Sequence, residues 1–400
     1  MKKRLPITSR NYFDMTIQAL KNISLRISSG GTPSRRHSEY FSKESGHLWV
    51  KSKELLDSGI SSTEEKITDD ALNNSSAKYF PEHSVLIAMY GANVGQLGWL
   101  RNPATVNQAV CGLVIDPEKA DWRYVFYALL QNRDNLTVQA RGAAQQNLNQ
   151  DLIKSFEIPF LSLDDQHLVS DVLSAYDDLI ENNTRRIQIL EQLAQAIYIE
   201  WFVNFHFPDH EKVKMTDSDT DFGKIPKEWE VKKVEDLIER ISPGKLYDNK
   251  TVSKKGLVPV LDQGRSGIIG YHNDVPGVEA SIEKPVIVFA NHTCYQRLMF
   301  FSFSAIQNVL PFYPLAENYR NIFWLHWATK DVISFNDYKG HWPEFMQKKV
   351  VVPTAEMAER FAEIIKPLKI LSYQLELANK NLRQPRDLLL PKLVTGEIRV

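Results

Sequence analysis

The sequence predicts an α+β fold in which two strand-bearing domains are each followed by a long helix, and the two helices pack on one another. Three observations predict it. Strand-like segments recur in the same order at a spacing of roughly 195 to 200 residues, so one unit is present twice. After each set of strands the apolar period lengthens from 2 to about 3.5, the change from sheet to coiled helix. Finally, 400 residues with 43% apolar content can fill two cores of ordinary size.

The strands come first in each half. VLIAMYGANVGQLGWL, TVNQAVCGLVID and LIKSFEIPF in the first half align with PVIVFANHTCYQRLMFF, SAIQNVLPFYPL and FMQKKVVVP in the second. Val85–Ala88 and Val286–Phe289 are short runs rich in branched residues, and Glu157-Ile158-Pro159 matches Val351-Val352-Pro353 as a strand end halted by proline. The aromatic stretch from Phe300 to Trp327 reads as interior packing for the second domain rather than as a nucleic-acid stacking platform.

The helices follow. From Val169 the apolar positions run Leu173, Tyr176, Ile180, Ile187, Leu190, Ala194, Ile197 and Trp201, interrupted only by Asn183. From Met357 they run Phe361, Ile364, Leu368, Leu371, Leu375, Ala378, Leu382 and Leu389, interrupted only by Pro385. Each such seam needs a partner, and each has one of matching length in the other. The pairing residues are therefore Tyr176, Ile180, Asn183, Ile187, Leu190 and Ile197 against Leu368, Leu371, Leu375 and Leu382, with Asn183 as a specifier of register. Pro367 and Pro385 predict breaks or kinks in the second helix, Pro367 being tolerable at the first turn of a new one. At 1.5 Å per residue, about 36 residues span roughly 55 Å, so if the helices are antiparallel the two domains stand further apart than one turn of a DNA duplex (~34 Å). Residues 208–223, charged and without apolar periodicity, read as a linker.

Composition narrows the class. The two cysteines, Cys111 and Cys294, are far apart and without metal-ligand spacing, and Cys111 within AVCGLV reads as core. Basic residues at the N-terminus are followed by no apolar stretch, and no span-length apolar run occurs later, so a soluble cytoplasmic protein is expected. The net charge of −1 argues against a DNA-coating protein, but it is uneven: Met1 to Lys53 holds eleven Lys and Arg against Asp14, Glu39 and Glu44. Phosphate-loop, dinucleotide-binding and metal-binding His-Glu motifs are all missing. Asn102-Pro103-Ala104 lacks the second proline and the aromatic of an amino-methyltransferase motif.

Several motifs carry a family resemblance over essentially the whole chain. They are Gly30-Gly31-Thr32-Pro33-Ser34 with Trp49-Val50-Lys51, Gly91-Ala92-Asn93-Val94-Gly95 with Asn107-Gln108-Ala109, and Arg141 to Asn149 leading to Ile158-Pro159. The helix with Asp178-Leu179-Ile180-Glu181-Asn182-Asn183, the segment Gly223 to Trp229, and Leu390 to Ile398 complete the set. Together they resemble the DNA-specificity subunits of type I restriction-modification systems. The second half departs in two places: Asn291-His292-Thr293-Cys294 replaces the glycine-rich turn, and Ser242-Pro243-Gly244-Lys245 replaces GGTPS.

The resemblance implies two mixed α/β target recognition domains in a pseudo-twofold repeat, separated by two long helices packed as an antiparallel coiled coil. The expected layout is a first recognition domain over 1–160, a long helix over 161–207, the linker over 208–223, a second recognition domain over 224–353, a second helix over 354–390 and a tail over 391–400. It further implies a non-catalytic reader of a bipartite site in double-stranded DNA that carries two methyltransferase subunits and joins restriction subunits. S-adenosylmethionine would belong to the methyltransferase, and ATP and Mg to the restriction subunit.

Base reading needs Arg or Lys for guanine and Asn or Gln for adenine, presented from loops. The candidates are Arg35, Arg36, Lys51, Lys53, Tyr90, Asn93, Gln145, Gln146 and Asn147 in the first half. In the second they are Lys245, Arg265, His292, Tyr295, Arg297, Lys339, His341 and Trp342. On the residues alone two rivals stay open: an enzyme with cryptic catalytic residues, and a scaffold that joins proteins without touching DNA.

Overall fold

A computed structural model of the chain describes residues 15–141, 147–264, 267–315, 321–335 and 339–399. It divides into two units, Met1–Glu181 with Lys380–Val400, and Asn182–Asn379.

Alternation builds the first unit. In Val85–Ala88 every residue is buried, because odd and even positions face different cores: Val85 and Ile87 join Leu113 and Tyr124, while Leu86 and Ala88 join Val50 and Phe80. The sheet order is Ser24–Ser29, Val110–Ile115, Val85–Ala88, Leu97–Leu100, Ser58–Ile60. Helix Trp122–Gln131 covers one face; its first turn is capped by Asp121, whose carboxylate accepts the Tyr124 amide at 2.8 Å. A second sheet contains His47–Val50 beside Ala104–Val106 in parallel, and Thr16–Ala19 pairs antiparallel with Glu157–Phe160.

The second unit repeats this plan. Ile238–Arg240, Val309–Pro314, Val286–Ala290 and Gln296–Met299 form a sheet of equivalent order. Ile287 and Phe289 face one core, Val286 and Val288 the other. Val258–Leu261 lies parallel to Ser304–Ala305, and Glu230–Lys233 pairs antiparallel with Lys349–Val352. Phe300, Phe323, Trp324 and Trp327 are core residues, as their spacing suggested.

The long helices span Leu163–Tyr198 and Ala355–Val394. Within each unit their segments run antiparallel. In the first, Asp177 receives Arg386 at 2.6 Å while Val169 and Leu173 share a core with Leu390, Leu393 and Val394. In the second, the Asn183 amide donates to Asn379 at 3.0 Å, and Lys369 reaches Glu191 at 2.8 Å. Ile180 and Leu375 are buried; Tyr176, Ile187, Leu190, Ile197, Leu368, Leu371 and Leu382 are half-buried.

Four expectations are corrected. The helices are not separate from the two units as expected, because the boundary between the units falls inside each of them, after Glu181 and after Asn379. The second helix is unbroken at Pro367 and Pro385, since each proline removes only one backbone hydrogen bond while packing holds the turns on both sides. Helix continues to Val394, so the start of the expected tail joins the core: Leu393 and Val394 are buried and the Tyr124 hydroxyl donates to the Val394 carbonyl at 3.2 Å. The expected linker contains strand Met215–Asp217, paired with Lys224–Pro226 through a turn in which Gly223 has φ +64.

The seam of the second helix is also shifted. Ile365, Ser372 and Asn379 are buried, whereas Ile364 is 40% exposed. The polar positions hid this seam from an apolar count.

Candidate nucleic-acid interface

In the first unit, loops from four strands meet. The Gly30-Gly31 segment lies against the backbone: the Gly31 amide donates to the Val106 carbonyl at 3.0 Å, and Trp49 Nε1 donates to the Gly31 carbonyl at 3.1 Å. A Cβ at Gly30 would stand 1.8 Å from the Val106 oxygen, so only glycine permits this approach. Thr32 then bonds the Gln108 side chain, and the Tyr90 hydroxyl donates to the Gln108 carbonyl at 2.6 Å. Leu148, next to Asn147, donates its amide to Met89 at 2.8 Å. Tyr90, Asn93, Asn107, Gln108 and Asn147 are thus neighbours through the backbone that carries them.

The cations Arg35, Lys51 and Lys53 adjoin this group but are paired. Arg35 donates through both terminal nitrogens to Glu65 at 2.8 Å and lies over the Phe41 ring at 4.0 Å. Lys51 bonds Glu64 at 2.9 Å and Glu65 at 2.7 Å, and Lys53 bonds Glu64. Arg35 and Lys51 hold the Glu65 carboxyl at about 2, and Lys53 and Lys51 do the same for Glu64. Arg36 is exposed. Gln145 and Gln146 lie outside the described residues.

The second unit gathers equivalent loops with different chemistry. The turn after Val286–Ala290 closes as in the first unit, Cys294 donating to Ala290 at 2.9 Å with φ +57 where Gly95 has φ +81. The His292 amide donates to Gln263 Oε1 at 2.8 Å, and the Thr293 hydroxyl donates to the Gln263 carbonyl at 2.7 Å. A cleft of about 450 Å³ opens among Gln263, Thr293, Tyr295, Ser334 and Phe335. Asn291 ties three loops: its amide donates to Asn308, and its backbone and side-chain oxygens accept from His341 and Trp342. Lys245 pairs with Asp274 at 2.8 Å, Lys339 is exposed, and Arg265 lies outside the described residues.

Three candidates are repositioned. His341 is 0% exposed and so cannot reach a base edge; its carbonyl accepts from Phe345 in the following helical turn. Trp342 is half-buried against Phe289 and Phe312, as a core aromatic. Arg297 lies on strand Gln296–Met299 and lines a different cleft, of about 800 Å³, with Glu191, Lys330, Lys369 and Glu376. Sequence reasoning missed Gln108, Gln263 and Asn291 as candidates. The available signal was position: Gln263 follows strand Val258–Leu261 just as Lys51–Lys53 follow His47–Val50.

Comparison with known proteins gives this arrangement its context. The family described as the type I restriction modification DNA specificity domain matches residues 27–192, which contain the whole first cluster of loops. The chain is similar to specificity subunits of type I restriction-modification systems, by that family match over residues 27–192 and by relatives over most of its length. The MjaIX specificity subunit of Methanocaldococcus jannaschii is 25% identical over 417 residues, covering 97% of this chain and 94% of that one. The MjaVIII specificity subunit of the same organism is 22% identical, covering 89% and 87%. The crystal structure of the type I S subunit from M. genitalium shares the fold, with TM-score 0.60 at 17% identity over 98% of this chain and 99% of that one. Among the described residues of this chain, no group of three or more His, Cys, Asp and Glu is placed to hold a metal ion, and no helix is long and apolar enough to cross a membrane.

Proposed function

We propose that this chain is a type I specificity subunit, a non-catalytic reader of a bipartite site in double-stranded DNA, each unit reading one half-site. One observation carries the reading: two units of equivalent strand order present loops at equivalent places but with different side chains, Asn93 and Gln108 in one, Gln263, His292 and Tyr295 in the other. Amides and cations on such loops are the groups that form paired hydrogen bonds with purine edges. Phosphate contacts missing from a chain of net charge −1 come from its partners.

Those partners are two methyltransferase subunits, which bind S-adenosylmethionine, and restriction subunits, which use ATP and Mg. Apolar side chains left on the long helices support docking there: Leu168 and Leu179 in the first unit, Ile189, Leu193 and Leu377 in the second. The test is to map methylated adenines in cells expressing the chain with a candidate methyltransferase. A split sequence is expected, and exchanging residues 230–352 for those of another specificity subunit changes one part of it only. Methylation at an undivided site, or change in both parts, would sink the reading.

A further inference from the structure

Three cations beside the first unit's loops, Arg35, Lys51 and Lys53, are already paired. Arg35 donates through both terminal nitrogens to Glu65, and one face of its guanidinium lies on the Phe41 ring. Lys51 is only 16% exposed and bridges Glu64 and Glu65, and Lys53 bonds Glu64. Three positive charges are thereby presented to an approaching phosphate as a cluster of net +1. The second unit has an independent instance: Lys245 bonds Asp274 at 2.8 Å, over the Tyr247 ring, while the Tyr247 hydroxyl donates to the same carboxylate at 3.0 Å.

We propose that Glu64 and Glu65, with Asp274 in the second unit, are specificity-determining residues that withhold Arg35, Lys51, Lys53 and Lys245 from the phosphates of non-target DNA. The proposal rests on the DNA-reading function above. Non-specific affinity comes from phosphate neutralisation and carries no sequence information. A cation already satisfied by a carboxylate gains little from a passing phosphate, since one charge-assisted bond replaces another. It is released only when docking on the correct bases brings phosphates to fixed positions. Both glutamates titrate near 2, so the clamp is closed across the neutral range and does not act as a pH switch.

The experiment uses the full chain assembled with its methyltransferase, and a fluorescent 30-base-pair duplex lacking the mapped site as probe. Affinity is measured from about 50 to 200 mM salt. Glu64→Gln with Glu65→Gln is expected to tighten non-target binding about a hundredfold at the low-salt end and to steepen the log–log salt slope by about two to three, near 0.9 per cation released, so that the gain nearly vanishes at the high-salt end. The charge-matched control Glu82→Gln with Glu118→Gln separates this from a general change of net charge. Glu64→Gln alone guards against misfolding, because that carboxylate is 55% exposed and Lys51 keeps Glu65. Its smaller gain should vanish when Lys53→Ala is added. If the Glu64 and Glu65 variants match the control while wild type still methylates a defined site, the clamp is overturned and the reading function stands. If wild type neither binds duplex nor directs methylation, both fall together.

Discussion

The residue that joins the helices most specifically is an asparagine, not a leucine. Asn183 and Asn379 are 9% and 5% exposed and satisfy each other, and Asn379 also donates to Thr184 at 3.2 Å. Removing one partner strands the other, at a cost of about 1–3 kcal/mol, whereas removing both is nearly neutral. Asn379→Ala should therefore lower stability in urea titration, and Asn183→Leu with Asn379→Leu should restore it while relaxing register. Recovery absent from the double variant would show the pair to be more than a matched polar contact. Glu191 makes a second residue-level prediction. Burial pushes its carboxyl up, but Lys369 and Lys330 outweigh burial and bring it from 4.5 to about 2. Its stabilisation is thus complete above about pH 4.5 and is lost as pH falls toward 2. Glu191→Gln should flatten that part of the acid limb in thermal melts, leaving the neutral range parallel to wild type.

Elements obey propensity only where packing does not decide. Proline disfavours a helix interior by about 3 kcal/mol, yet Ala355–Val394 runs through Pro367 and Pro385. Pro367→Ala, at an exposed position, should raise the melting temperature by an amount equivalent to about 1–3 kcal/mol with no loss of assembly. The same helix ends inside the first unit's core, where Leu393 is 2% exposed. Leu393→Ala should cost about 2–4 kcal/mol and loosen the first unit selectively, read as faster hydrogen exchange in Trp122–Gln131 than in Ile322–Thr329. Equal loosening of both would argue against this assignment. The strands were legible because branched runs ending at proline look alike in both halves. The second helix seam was not, because Ser372, Asn379 and Arg386 are invisible to a count of apolar residues.

At the scale of the molecule, two units of equivalent strand order carry different side chains on equivalent loops, and a net charge of −1 leaves little bulk attraction for nucleic acid. Candidate readers were legible by chemistry but not by exposure. His341 and Trp342 have suitable groups, yet one is buried and the other packs on Phe289. Arg35 and Lys51 have suitable groups but are already paired with Glu65.

The order of amino acids alone determined the duplication, the strand runs, the heptad period and the family motifs, because each is a short-range pattern that survives without knowledge of neighbours. Tertiary structure alone decided which half of each helix belongs to which unit, that Leu390 to Val394 complete a core, that Asn183 meets Asn379, and that Glu64 and Glu65 engage the cations. Each of those is a contact between residues distant in the chain. Burial and charge pairing are properties of such contacts, and no local period encodes them.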